Sequence, residues 1–322
     1  MAKFDVTTIG EGQLRYCVPA GVRLETATHF DVYVTGTESN IVSLLARLGW
    51  QTGWVSALPN SPLGRRVSQE LKAAGVDLGA VRWEDDARIA TYYVEYAVPP
   101  RSTQVYYDRA NTPYTRMTVE DIDWGYLLDT RLLHISGLTL PISPEISQLL
   151  LTAIDRAKTA GVKVSFDMNY RTRLWTTNEA RAIVQPLLRD IDVLFFGRRD
   201  AQQIFNAPDD PQAVLEILGT MTDAETIIVS LSNDGLIGWD RTQNAISQVP
   251  ARRVEMIDRI GAGDAMVAGV LHGWLQDDLS KGLRYGALTA ALALSQWGDQ
   301  VITTRDEIDR LVDLGDATDI TR

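Results

Sequence analysis

Cysteine and histidine are scarce: one cysteine, Cys17, and three histidines among 322 residues. A lone cysteine cannot close an intrachain disulfide, and so few scattered soft ligands do not make a zinc cluster. No uncharged apolar run approaches the roughly 20 residues that span a bilayer. The opening MAKFDVTTIG has no basic stretch leading into an apolar one, as a secretion signal has. A cytoplasmic protein without a membrane partner is therefore expected. Positive charge is also in deficit, with 31 Lys and Arg against 42 Asp and Glu and a net charge of -11. Phosphate backbones need a basic footprint, so nucleic acid is not an expected partner, and any anionic substrate must be met by local arginines. Two common nucleotide motifs are missing as well. The GxxxxGK(S/T) loop does not occur, and a GxGxxG reading from Gly261 fails because Met266 takes the sixth position.

What is present is alternation. Apolar, β-branched runs (VTTIG, WVSAL, LLHISG, VKVSFD, DVLFF, TIIVSLS) are separated by helix-length amphipathic segments such as IVSLLARLG, RVSQELKAAG, EISQLLLTAIDRAKTAG and EARAIVQPLLRD. Strand, crossover helix and parallel strand repeat in that order, which predicts a doubly wound α/β fold around one main core. Gly49, Gly75 and Gly161 each follow a helical segment, where helices stop. Two stretches break the rhythm, residues 12–36 and 88–118, both rich in Tyr, Val and Thr with near-alternating polarity. They predict hairpin strands that join in one small sheet, a lid over the ends of the parallel strands. The core is then residues 1–11, 37–87 and 119–322, with the lid from 12–36 and 88–118. Its apolar positions, Val94 and Val105 among them, are expected to face outward and pair with a second subunit as a homodimer or higher oligomer.

Chemistry concentrates in IDRIGAGDAMVAGVLHGWL, residues 257–275. Gly261-Ala262-Gly263-Asp264 stands directly before an apolar helix, so small residues let backbone N–H groups and the positive helix end face an anion. A carboxylate in that first turn can accept the proton of an attacking hydroxyl during phosphoryl transfer. The same four residues also read as a tight turn followed by a favourable first-turn acid.

DRIGAGDAMVAG (258–269) resembles the C-terminal signature of the PfkB carbohydrate kinases, and TGTESNIVSLLARLGWQTGWVSALPNSPLGRRVSQELKAAGVD (35–77) resembles their N-terminal pattern. Within that family VYYDRANT (105–112), SFDMNYRTRLW (165–175) and WGDQVITTRDEI (297–308) are most similar to 2-keto-3-deoxygluconate kinases. The resemblance implies a ribokinase-like three-layer α/β fold with a central mostly parallel sheet and a β-sheet lid. It implies ATP and Mg²⁺ as cofactors, and transfer of the γ-phosphoryl group to a primary hydroxyl of a 2-keto-3-deoxy sugar acid. Asp264 is then the base, with Gly261, Ala262 and Gly263 as the cradle. Gly36, Asn40, Tyr92, Tyr107, Arg109 and Arg171 hold the substrate. Guanidinium groups suit a sugar carboxylate, because they bind it with planar, charge-assisted hydrogen bonds.

The nucleotide side matches less fully. The resemblance assigns it Asn169, Ser230, Ser232 and Gly235 together with Gly261 and Gly263. The family's magnesium-associated NxxE motif falls on Gly197-Arg198-Arg199-Asp200, leaving Asp200 to act on the metal through water. Arg259 adds positive charge beside the cradle, or forms a structural ion pair. Duller readings stand beside these: Tyr92 and Tyr107 as cross-strand packing, Arg109 and Arg171 as surface ion-pair formers, Gly36 and Asn40 as a turn and a cap, His134 as a core histidine. The competing functions are a kinase for a neutral sugar or nucleoside, and a sugar-acid binding protein without catalysis, motivated by the departure at 197–200. A dinucleotide-dependent dehydrogenase lacks its glycine fingerprint.

Overall fold

Phe4–Ile9 (β1) is a β-branched run buried at nearly every position, as in the middle of a sheet covered on both faces. In the computed structural model, which describes residues 2–314, β1 is followed by Gln13–Val18 (β2), Asp31–Thr35 (β3), Thr37–Arg47 (α1), Thr52–Pro59 (β4), Pro62–Ala74 (α2), Val81–Glu84 (β5), Ala90–Glu95 (β6) and Gln104–Asp108 (β7). Then come Trp124–Leu128 (α3), Thr130–Ser136 (β8), Pro144–Thr159 (α4), Lys163–Asp167 (β9), Thr177–Leu187 (α5), Val193–Gly197 (β10), Arg198–Phe205 (α6) and Pro211–Met221 (α7). The remainder is Thr226–Ser230 (β11), Leu236–Asp240 (β12), Ala245–Val249 (β13), Ala262–Trp274 (α8), Leu279–Leu294 (α9) and Arg305–Leu314 (α10).

Nine strands form one sheet in the order β13-β12-β11-β10-β9-β8-β1-β4-β5. From β11 to β5 every neighbouring pair is parallel, and β12 and β13 extend the far edge antiparallel. Side chains alternate across the sheet, so Leu194 and Phe196 of β10 enter one core with α4 to α7, while Val193 and Phe195 enter the other with α1, α2, α8 and α9. Three layers result, with every parallel strand ending on one side. Helix entry is written locally: Ser61 accepts the Gly64 N–H ahead of Pro62, and Thr176 with Glu179 forms a capping box on α5. No described helix is long and apolar enough to cross a membrane.

A separate four-stranded sheet has the order β3-β2-β6-β7, with β2 and β6 parallel at its centre and an antiparallel neighbour on each side. Arg15, Cys17, Tyr33, Tyr92 and Val94 lie on its core-facing side. The other side carries Tyr16 and Tyr93, stacked at 5.4 Å between ring centroids, with Phe30 at 6.1 Å from each. This corrects the expected orientation of Val94 and Val105. Val94 is fully buried and Val105 packs beside it, because the register that sends Tyr93 outward sends its neighbours inward.

Candidate active site

Asp264 is the third residue of α8, whose cap is Gly261 in a left-handed conformation (φ 90°). A Cβ at Gly261 would come within 2.6–3.1 Å of the Asp299 backbone, so the turn needs glycine both for its φ and for this close approach. The Asp264 carboxylate leaves its own helix and reaches α1. Thr37 Oγ1 donates to Oδ1 at 2.5 Å, and Asn40 Nδ2 donates to Oδ2 at 2.7 Å. Asn169 Nδ2 donates in turn to Thr37 Oγ1 at 3.1 Å, which ties the end of β9 into the same network. The α1 turn is shaped by Gly36, where a Cβ would meet the Glu11 carbonyl oxygen at 2.3 Å.

Burial pushes the Asp264 carboxyl up to about 6, against the Thr37 and Asn40 hydrogen bonds that favour its ionised form. Two further carboxyls share its field. Asp167, at the end of β9, is pushed up to about 8 by burial and by Asp264 and Asp200. Asp200, in the first turn of α6, is pushed up to about 6 by burial, against the Tyr170 N–H at 3.3 Å and Arg171. Arg171 is exposed and favours the charged form of all three acids. Its guanidinium makes no side-chain hydrogen bond or ion pair with another described residue.

Arg109 is placed differently. Its Nε and Nη2 both donate to Glu11 Oε2, at 2.9 and 2.7 Å, while Thr112 donates to Glu11 Oε1 at 2.6 Å. Glu11, buried at the end of β1, is a residue the motifs did not point to; a carboxylate so close to a strand terminus was its only signal. Tyr92 is buried and its hydroxyl donates to Asp299 at 3.0 Å, whereas Tyr107, 5.5 Å away by ring centroid, is exposed. Gly36, Asn40, Asn169, Arg171 and Asp264 thus converge, and Tyr92 and Arg109 already hold protein carboxylates.

On the other flank, Ser230 ends β11 and pairs in register with Gly197. Ser232 is exposed and left-handed, and Gly235 lies where a Cβ would strike the Val249 carbonyl oxygen at 2.0 Å. Arg198 links α6 to this loop through Asp234 at 2.8 Å, and Arg259 is exposed. His134 is buried against Ser165 at 3.0 Å and pushed down to about 3 by burial, a neutral core histidine. Among the described residues no group of three or more His, Cys, Asp or Glu could hold a metal ion. Asp200 keeps one carboxylate oxygen free of the Tyr170 hydrogen bond, which suits a hard cation that retains most of its water.

Residues 5–305 match the family described as pfkB family carbohydrate kinase. A 2-dehydro-3-deoxygalactonokinase of Haloferax volcanii is 35% identical over 97% of this chain and 98% of its own. The crystal structure of a 2-dehydro-3-deoxygluconokinase from Thermotoga maritima superposes with a TM-score of 0.87 at 29% identity, covering 96% of this chain and 98% of that one. An E. coli protein solved in complex with ATP and Mg²⁺ shares the fold at 21% identity and a TM-score of 0.87, over 97% of this chain and 99% of its own. With the Gly261–Asp264 turn seated at the head of α8 and the match running almost end to end, the chain belongs to the pfkB family of carbohydrate kinases.

Proposed function

We propose that this kinase transfers the γ-phosphoryl group of ATP to a primary hydroxyl of a 2-keto-3-deoxy sugar acid. The observation that carries the reading is the pairing of an oriented Asp264 carboxylate with an exposed Arg171 beside it. Asp264 is mostly ionised at neutral pH and takes the hydroxyl proton as the oxygen attacks. The Gly261–Gly263 backbone and the positive end of α8 face the transferring group, and Arg171 meets the sugar carboxylate. Asp200 would act on Mg²⁺ through water, and the ion would supply neutralisation of phosphate charge. Asn169, Ser230, Ser232 and Gly235 form the nucleotide side. The small sheet is the lid, and the protein is a cytoplasmic homo-oligomer whose lids pair through Tyr16, Phe30 and Tyr93, an aromatic face costly to leave in water. Sedimentation at micromolar concentration should show a dimer or larger; a monomer removes the lid interface.

One observation favours a second reading, a kinase for a neutral sugar. Glu11 already occupies the Arg109 guanidinium with two hydrogen bonds, which leaves Arg171 as the one of the two expected clamps still free for a carboxylate. Coupled ADP release over 2-keto-3-deoxygluconate, its galactonate epimer, fructose, ribose and adenosine separates the two. Preference for either keto-deoxy acid supports the proposal, and preference for fructose, ribose or adenosine replaces it.

A further inference from the structure

Arg15 is the one charged residue among the largest fully buried side chains, and its ion-pair partners, Asp258 and Asp299, are not among the groups assigned above to substrate or nucleotide binding. It stands on β2 of the small sheet. Its Nη2 donates to Asp258 Oδ2 at 2.6 Å, and its Nη1 lies 2.9 Å from Asp299 Oδ1 as an ion pair outside hydrogen-bond geometry. Both acids belong to the α/β core, and each touches the turn that leads into α8. Asp258 Oδ1 accepts the Ile260 N–H at 3.1 Å, one residue before Gly261. The Asp299 backbone is what a Cβ on Gly261 would strike. The small sheet returns to the same two carboxylates a second time: Tyr96 Oη donates to Asp258 at 2.8 Å, and Tyr92 Oη and Thr35 Oγ1 donate to Asp299 at 3.0 and 2.6 Å.

We infer that Arg15 is a positioning residue for phosphoryl transfer: by holding Asp258 and Asp299 together it fixes the turn carrying Gly261–Asp264 and docks the small sheet on it. The inference rests on the kinase reading, which makes that turn the phosphoryl cradle. Two buried carboxylates this close repel, and beside a site that must receive anionic phosphates their repulsion would open the turn. A planar guanidinium bridges both acids at once, whereas an ammonium serves as a point charge for one. Arg15 touches no reacting atom. Its effect falls on the geometry of the transition state, and so on kcat rather than KM.

The test compares Arg15→Met, Arg15→Lys and Asp258→Asn with the unaltered enzyme. Steady-state kinetics on the preferred sugar and ATP are read beside amide hydrogen exchange without substrate. Arg15→Met should lower kcat about 10- to 100-fold with both KM values within about fivefold, and Arg15→Lys, whose ammonium serves one acid only, should regain part of the loss. Amides of residues 258–264 should exchange about tenfold faster in Arg15→Met, while those of β9 and β10 stay as they were. Asp258→Asn, nearly isosteric and leaving one guanidinium for one carboxylate, keeps the question answerable if Arg15→Met does not fold. It should raise exchange in the same segment and lower kcat about fivefold or more. A kcat within threefold of the unaltered enzyme, unchanged exchange at 258–264, or a loss confined to KM overturns the inference. Absence of ADP release by the unaltered protein with any sugar overturns the kinase reading, whereas unchanged exchange strikes the Arg15 inference alone.

Discussion

The two flanks of the cleft are built on opposite principles. On the acceptor flank, Asp264, Thr37, Asn40 and Asn169 form a connected network in which each polar group is fixed by the next, drawn from α8, α1 and the end of β9. On the flank proposed to take the nucleotide, Ser232 and Asp234 sit on an exposed loop, tied to α6 by the Arg198–Asp234 ion pair. A proton transfer needs atoms held to a fraction of an ångström, whereas a bound nucleotide brings many contacts of its own and tolerates a looser host. The two carboxyls pushed highest, Asp167 and Glu38, lie with Asp264 on or beneath the acceptor flank, while Asp200, raised to about 6, stands on α6 between the two flanks.

If the acceptor flank carries the chemistry, Asp264→Asn should have the largest effect of any single change there. Asn keeps the shape and removes the base, so turnover should fall on the order of 10²- to 10⁴-fold with KM changed far less. The unaltered enzyme should also lose kcat/KM as pH falls below about 6, because the carboxyl is then protonated and cannot accept the hydroxyl proton. Steady-state rates from pH 5 to 8 on both proteins check this. Turnover of Asp264→Asn within threefold of the unaltered enzyme would falsify the assignment.

Arg171→Ala should come next. Removing the exposed guanidinium leaves a substrate carboxylate underpaired and should cost roughly 2–5 kcal/mol in kcat/KM for a keto-deoxy acid. Rates on a neutral ketose should change little, because a general folding defect would depress both substrates together. Arg109→Ala provides the internal contrast. Its guanidinium is committed to Glu11, so its loss should depress acid and neutral substrates alike by disturbing the end of β1. A selective loss in Arg109→Ala would instead mean that Glu11 releases it to the substrate.

The parallel part of the sheet was legible because its strands are continuous apolar runs bounded by helices with written caps. VKVSFD and DVLFF can hardly do anything else in a chain of this composition. The antiparallel edge formed by β12 and β13 was missed. Leu236–Asp240 and Ala245–Val249 are short and of mixed polarity, and their pairing is set by contact with β11 and α9 rather than by local pattern. GAGD placed Asp264, since a turn of small residues before an apolar helix is a local signal. Its partners Thr37 and Asn40, more than 220 residues earlier, were reachable only as a turn with a polar residue near it. The commitment of Arg109 to Glu11 and of Arg15 to Asp258 and Asp299 spans 98 residues or more, and nothing local announces it. A buried charge is decided by what the fold brings beside it.

A last expected effect is on stability, and it separates the flanks without any substrate. Glu38, in the first turn of α1, is wholly buried, accepts a hydrogen bond from the Thr139 hydroxyl and is pushed up from 4.5 to about 8, chiefly by burial. Its folded form therefore holds a proton more tightly than the unfolded chain does. The stability this proton confers is complete below about pH 4.5 and is lost as pH rises towards 8. Glu38→Gln is neutral at every pH and still offers an oxygen to Thr139, so it lacks that slope. Relative to the unaltered protein it should gain stability steadily from pH 5 to 8, by at most ~5 kcal/mol, and change no further at higher pH. Asp167 and Asp264 titrate in both proteins, so the difference between the two curves isolates Glu38. Asp234→Asn on the nucleotide flank removes only an exposed ion pair and should shift stability by about 0–1 kcal/mol, with no comparable trend. Urea midpoints at half-unit pH steps provide the measurement. Parallel curves for Glu38→Gln and the unaltered protein would mean that water reaches this carboxyl, and that the acceptor flank is less closed than its hydrogen bonds imply.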